Sequence, residues 1–141
     1  MSLLAVQGLS HCFSGTIGAS GPTGIHDITL TVEKGEFIIL AGTNGSGKTT
    51  LLRHLNGLLL PDRGQIKIRG RDIGRDLPAA RRAVGMVFQD ADTQIVGDTV
   101  RDDIAFGLEN LKTPADVIES KVNDLMVQLG LSHLENRNPA T

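Results

Sequence analysis

The chain has no tryptophan, no tyrosine and a single cysteine among its 141 residues. One cysteine cannot close an internal disulfide, so Cys12 suits a reducing compartment and reads as a small half-buried residue rather than a reactive thiol. No run of 18 or more apolar residues occurs, which excludes a membrane-spanning helix. The opening residues, Met1-Ser2-Leu3-Leu4, lack a basic stretch ahead of an apolar core, and no secretory leader is expected. Neither sign of charge is in excess: 14 Lys and Arg stand against 16 Asp and Glu, a net charge of −2. Nucleic acid is therefore not an expected partner. The whole aromatic set is four phenylalanines, so the place of each one matters more than usual. What is present, 40% hydrophobic and 21% charged residues, is ordinary for a globular domain, and the length fits one domain or part of one.

The most informative stretch is Gly42, Thr43, Asn44, Gly45, Ser46, Gly47, Lys48, Thr49 and Thr50. It satisfies the phosphate-loop pattern G-x-x-x-x-G-K-[ST] at every fixed position. A polyphosphate is bulky and highly charged, and holding it takes backbone N–H groups converging on one spot. Glycine at 42, 45 and 47 removes Cβ atoms from the way and permits positive φ. Lys48 then stands where an ammonium reaches β- and γ-phosphates, and the Thr49 hydroxyl is placed for Mg²⁺. The context agrees. Residues 37–41, Phe-Ile-Ile-Leu-Ala, form a short apolar run of the kind expected in a strand buried on both faces. Leucines at 51, 52 and 55 follow at helical spacing. Strand, glycine loop and helix come in the order that puts a helix N-terminus against the phosphate.

Along the rest of the chain the patterns predict strands over 3–13 and 25–32, the second alternating except at Asp27. A Gly/Ser-rich loop is expected over 14–24, a tight turn at 33–36, and a further turn at Pro61-Asp62-Arg63-Gly64 leading to a strand over 65–70. Residues 76–82 make one or two helical turns. Residues 84–89 read as an apolar strand ending on Gln89. Helices are expected over about 99–109 and 113–129. The second has Thr113 as N-cap, Pro114 at its first position and Gly130 at its end. Residues 135–141 are polar and read as linker. There is no internal repeat.

A phosphate loop alone leaves kinases, GTPases, ATPases and transporters open. The stretches Cys12-Phe13, Val32-Glu33-Lys34-Gly35-Glu36, His54-Leu55-Asn56-Gly57-Leu58 and Pro61-Asp62-Arg63-Gly64 narrow the field. So do Val87-Phe88-Gln89-Asp90, Asp92-Thr93-Gln94-Ile95-Val96 and residues 99–107. With them, essentially the whole chain resembles the ATP-binding subunit of an ABC transporter, and the last stretches resemble the cobalt/nickel and energy-coupling-factor vitamin importers. The resemblance implies an α/β P-loop NTPase fold of the ABC ATPase type, present in part. An N-terminal antiparallel β portion, the phosphate-loop strand and helix, and the start of the helical subdomain fall within 1–141. The family's C-terminal half is expected to be absent. In the family, a sequence like residues 136–141 is followed at once by the Leu-Ser-Gly-Gly-Gln signature. The signature, the acidic Mg²⁺ strand, the catalytic Glu and the switch His are thus not expected here.

The resemblance also implies roles. Phe13 corresponds to the aromatic that stacks on adenine, although a core Phe at a strand end would leave the same trace. Gln89 corresponds to the glutamine that touches Mg²⁺ or the attacking water; a solvated strand-end Gln is its alternative. Residues 42–50 would bind ATP, with Lys48 and Gln89 as the catalytic groups of a partial site and Thr49 and Gln89 facing Mg²⁺. Residues 90–106 would receive a membrane-embedded subunit, and a second ATP-binding subunit is an expected partner. The place of action is the cytoplasmic face of the membrane. Thr43 stands where the family often has Pro, and residues 16–24 are richer in Gly than the family pattern. Turnover by this chain alone is expected to be slight, and self-association is expected from an open apolar edge. Two other classes fit the loop. One is a non-catalytic nucleotide-binding regulatory module. The other is a non-ABC P-loop kinase, for which Arg81-Arg82 is the one cluster resembling lid arginines.

Overall fold

The computed structural model describes residues 2–13, 23–90 and 92–139. Most of the expected Gly/Ser-rich loop lies outside them, as do the last two residues of the expected linker. Two compact units divide the chain, Met1–Met86 and Val87–Thr141.

In the first unit, β1 (Leu4–Phe13), β2 (Thr23–Val32), β3 (Arg63–Ile68) and β4 (Arg71–Asp72) form one antiparallel sheet in the order β2-β1-β3-β4. Val6 lies opposite Leu30 on one side and Ile66 on the other. Val6 and Leu9 are both fully buried, yet three residues apart in a regular strand they would face opposite ways. The register slips between them in both pairings, with Gly8 at φ 58°. That bulge turns Leu9 back to the core, as an extra strand residue does. A second slip explains the break in the β2 alternation: Leu9 pairs with Ile28 but His11 with Ile25, and Asp27 takes φ 48°. The Asp27 N–H donates to Ser10 Oγ at 2.9 Å.

Helix α1 (Lys48–Leu55) packs Leu51 into the same core as Val6, Leu9, Ile25 and Ile66. Helix α2 (Leu77–Ala83) starts on Asp76, whose Oδ1 accepts from the Ala79 N–H at 3.0 Å, and buries Ala80. The turn at 33–36 forms as expected, with Gly35 at φ 87° and the Glu36 N–H donating to Glu33 O at 3.3 Å.

Two predicted strands do not form. Residues 37–41 pair with no other strand among the described residues. Their exposure still alternates, Phe37 89% and Ile39 77% against Ile38 55% and Leu40 43%, which is the signature of an extended chain. Residues 84–89 are likewise unpaired, and Val87 is exposed. The physical reason is the same for both. An apolar run becomes a doubly buried strand only when neighbours pair with it and layers cover it, and every pairing of this sheet goes to β1–β4.

The second unit holds α3 (Val100–Asn110) and α4 (Ala115–Gln128), which bury Ala105, Val122 and Met126 against one another. Thr99 caps α3 by accepting from the Asp102 N–H at 3.1 Å. The α4 start is shifted by one residue from expectation. Pro114, with ψ 142°, is itself the cap and makes no side-chain bond. Gly130, at φ 69°, follows the helix end as predicted. The expected linker is partly structured. The Val100 and Arg101 N–H groups donate to the carbonyls of Arg137 and Glu135, at 2.9 and 3.1 Å. Arg101 Nη1 also meets Glu135 Oε1 at 2.8 Å. The first turn of α3 needs acceptors for its free N–H groups, and this segment supplies two. Cys12 is exposed rather than half-buried.

Leu9→Ala is expected to destabilise the chain by about 2–5 kcal/mol, read as a lower urea midpoint at unchanged slope. An open apolar segment at 37–41 is an association site. Sedimentation velocity is expected to show concentration-dependent association that Phe37→Lys with Ile39→Lys abolishes; a monodisperse parent would contradict it.

Candidate functional site

The segment at 42–50 runs from the unpaired chain at 37–41 into α1. Its turn is closed by the Ser46 N–H donating to Thr43 O at 3.2 Å. Gly45 at φ 80° and Gly47 at φ 91° take the left-handed conformation, which is the backbone shape used in anion-binding nests. Side chains would spoil this shape. A Cβ on Gly42 would stand 2.7 Å from Ser46 Oγ, and one on Gly47 2.5 Å from Ile25 Cγ2, while beside Gly45 nothing lies within 4 Å. Ile25 is a buried residue of β2, so the sheet supports the base of the loop.

Gly47 is also the N-cap of α1, and no side chain caps that helix. Its first turn thus presents N–H groups and the positive end of the helix dipole to the loop. Lys48 Nζ donates to Gly42 O at 2.8 Å, to Thr43 O at 2.7 Å and to Ser46 Oγ at 3.4 Å. No carboxylate pairs with it among the described residues. Carbonyls satisfy the ammonium's hydrogen bonds but do not neutralise its charge, and a polyanion would do both. Thr49 is exposed and offers a hard oxygen of the kind Mg²⁺ takes. The donor set therefore fits a magnesium polyphosphate: backbone N–H groups, one uncompensated ammonium and one free hydroxyl.

Phe13 ends β1 in the same unit, with 43% of its surface exposed. Its ring meets that of His11 edge to face, centroids 4.8 Å apart at 89°. A perpendicular neighbour covers at most one face of the ring.

Gln89 belongs to the second unit and is exposed. The segment after it is ordered by its own hydrogen bonds. Thr93 Oγ1 donates to Asp90 O at 2.9 Å. Asp103 Oδ1 accepts from the N–H groups of Val96 and Gly97 at 2.8 and 3.0 Å. A Cβ on Gly97 would collide with the Asp103 backbone. Val96 and Phe106 remain exposed, leaving an apolar surface within 90–106.

The phosphate-loop residues are thus brought together on one turn, with Phe13 in the same unit and Gln89 in the other. Sequence reasoning did not single out His11, His54 and Asp62. His54 is buried completely, and its ring lies 4.8 Å from that of His11. Asp62 fastens the end of β1: its N–H donates to Ser10 O at 2.9 Å and its Oδ2 accepts from the Cys12 N–H at 2.8 Å. Two signals were available. His11 and Phe13 are two apart on a strand, and Leu51 and His54 are three apart on a helix, so each pair shares a face.

Comparison with known proteins agrees with this geometry. The energy-coupling factor transporter ATP-binding protein EcfA of Methanosarcina acetivorans is 44% identical over 123 residues, 86% of this chain and 45% of that protein. EcfA1 of Enterococcus faecalis is 43% identical over 117 residues, 82% of this chain and 42% of its own length. Among solved structures, cbiO1 from Clostridium perfringens, part of the ABC transporter complex cbiONQ, superposes with a TM-score of 0.79 at 31% identity. It covers 97% of this chain, which spans 54% of it. The chain therefore spans about half the length of the relatives it matches. The fold is that of the ABC ATPase P-loop NTPases, present in part. A phosphate loop in a non-ABC kinase is no longer an alternative, because the ABC transporter family profile matches residues 25–141, and the chain belongs to that family.

Proposed function

We propose that this chain is the N-terminal, nucleotide-binding part of the ATP-binding component of an ABC importer. Residues 42–50 are its phosphate loop, Gln89 its glutamine loop and 99–130 its helical region. The observation that carries the reading is the state of Lys48. Its ammonium has two loop carbonyls and a hydroxyl as partners and, among the described residues, no counter-charge.

Each residue then has a task. The amides at Gly45, Gly47 and Lys48 hold the β-phosphate, while that of Ser46 closes the turn on Thr43 O. Lys48 exchanges its loop carbonyls for β- and γ-phosphate oxygens. Thr49 would offer its hydroxyl oxygen to Mg²⁺, and Gln89 is the second residue for which the resemblance implies a Mg²⁺ role. Phe13 offers a ring face to adenine, and stacking needs no specific hydrogen bonding. When bound, Mg²⁺ neutralises charge developing on the phosphoryl oxygens.

Phosphoryl transfer to water is mainly positioning and charge stabilisation. These residues make one wall of such a site, and relatives about twice as long supply more chain around it. Turnover is accordingly assigned to the longer protein rather than to residues 1–141 alone. The surface at 90–106 is the docking face for a membrane subunit at the cytoplasmic side of the membrane, and a second ATP-binding subunit closes the site. Relatives named for energy coupling and for cbiONQ support import of a small solute, a cobalt/nickel ion or a vitamin.

Calorimetric titration of MgATP tests the reading. Lys48→Ala removes a charge-assisted contact worth about 1.5–3 kcal/mol and is expected to weaken binding roughly 10- to 100-fold. Equal affinity of parent and variant would reject the loop as the site. Phosphate release from ATP is expected to match that of Lys48→Ala; a parent rate well above this control would show that the chain carries a complete catalytic set.

A further inference from the structure

Two histidines, His54 fully buried and His11 partly so, have no part in the chemistry proposed above. His54, the seventh residue of α1, is fully buried. Its Nδ1 lies 2.7 Å from Thr50 O. A carbonyl can only accept, so Nδ1 is the donor in this contact. The other ring nitrogen, Nε2, is buried and has no hydrogen-bond partner. His11, on β1, is in the same condition: its Nδ1 is buried and without a hydrogen bond, 3.6 Å from Asp62 Oδ2. The two rings touch, centroids 4.8 Å apart at 64°.

Leucine at either position would fill similar space and leave no nitrogen unsatisfied. Buried polar atoms without partners are uncommon and call for an explanation. Here the rings themselves supply one. His54 rides on the helix that begins with Lys48 and Thr49. His11 meets His54 on one side and Phe13 on the other, each at 4.8 Å. A continuous stack of three rings therefore joins the phosphate-loop helix to the exposed aromatic. Planar rings in edge contact fix one another's tilt, which a branched aliphatic side chain does not. Asp62 holds the strand on which this depends, through Ser10 and Cys12.

We infer that His11 and His54 are positioning residues that couple the phosphate loop to Phe13, so that filling the loop with phosphate sets the ring that receives the base. The inference rests on the nucleotide reading given above and adds the route by which its two ends communicate. Neither histidine touches the nucleotide; each acts through the next ring.

The chain has no tryptophan, so Phe13→Trp places a single fluorophore at the end of the stack. Mg-tripolyphosphate, which has no base, is the probe. It is expected to shift the Trp emission in this background, to lose that effect with Lys48→Ala, and to bind without shifting it in His54→Leu. In the Phe13 background, His54→Leu or His11→Leu is expected to weaken ATP binding about two- to twelve-fold, the size of one aromatic contact. Tripolyphosphate affinity should stay within about twofold of the parent, as expected for a contact remote from the phosphates. His11→Phe keeps a ring and should keep both affinity and response. Melting curves identify any leucine variant that does not fold, in which case the other leucine variant and His11→Phe decide. An emission shift that survives His11→Leu or His54→Leu overturns the inference. So does equal weakening of ATP and tripolyphosphate, which would mean that the rings merely hold the loop in shape. A parent that binds neither ligand would fail at the loop, removing the nucleotide reading and this inference with it; a parent that binds both without an emission shift removes the inference alone.

Discussion

Strand β1 is hydrogen-bonded along both edges, to β2 and to β3, and the first unit is assembled around that constraint. A strand held on both sides cannot shift by one residue without turning its core face to solvent. Its two fully buried residues, Val6 and Leu9, fix the register. The bulge at Gly8 then decides which residues further along share the core side. Because Leu9 points inward, His11 and Phe13 follow on the same face, and His11 reaches His54 on α1. The exposed aromatic at the strand end is therefore a consequence of packing at the strand centre. Moving the bulge would move Phe13 to the other side of the sheet.

The loop at 42–50 depends on the same sheet from the other direction. Ile25 of β2 fills the space that a side chain at 47 would need, and Leu51 anchors α1 in the core shared with β1 and β3. Glycine at 47 thus meets two demands at once, a left-handed φ and a close approach to β2. Lys48, half-buried above this support, holds the loop's own carbonyls. The ammonium draws the carbonyls of Gly42 and Thr43 together and so supports the curvature of the loop. A polyphosphate bound as proposed would trade neutral acceptors for charged ones at the same donor, and such charge-assisted bonds are about twice as strong as neutral ones.

Much of this was legible in the sequence, for local reasons. The loop pattern is a set of backbone requirements written in glycine, and a reader of residues alone can see it. The helix stop at Gly130 is a signal of the same kind, whereas the cap read at Thr113 falls on Pro114. The break in alternation at Asp27 was visible, but its meaning was not, since a bulge depends on the partner strand. The histidine stack was hidden for a related reason: it joins residues 43 positions apart, and no local pattern marks which histidine meets which. The anchoring of Glu135 and Arg137 at the start of α3 was hidden because polarity suggested linker. Polar backbone groups are also what a helix N-terminus needs as acceptors.

The two strands read from the sequence and not formed, 37–41 and 84–89, show the difference between what a segment prefers and what its surroundings allow. Their composition is right for a doubly buried strand, and residues 37–41 keep the alternating exposure of an extended chain. What they lack is a hydrogen-bonded neighbour. This bears directly on the loop, because 37–41 leads into Gly42. On its C-terminal side the loop is anchored by α1 and by Ile25; on its N-terminal side it hangs from an unpaired segment. Fixing one backbone residue costs about 1–2 kcal/mol, so a segment that must be ordered on binding lowers affinity relative to one already held in a sheet. The loop thus has its own donor groups in place and lacks support on its N-terminal side. Affinity for polyphosphate should rise with whatever pairs with residues 37–41, with no new contact to the ligand required.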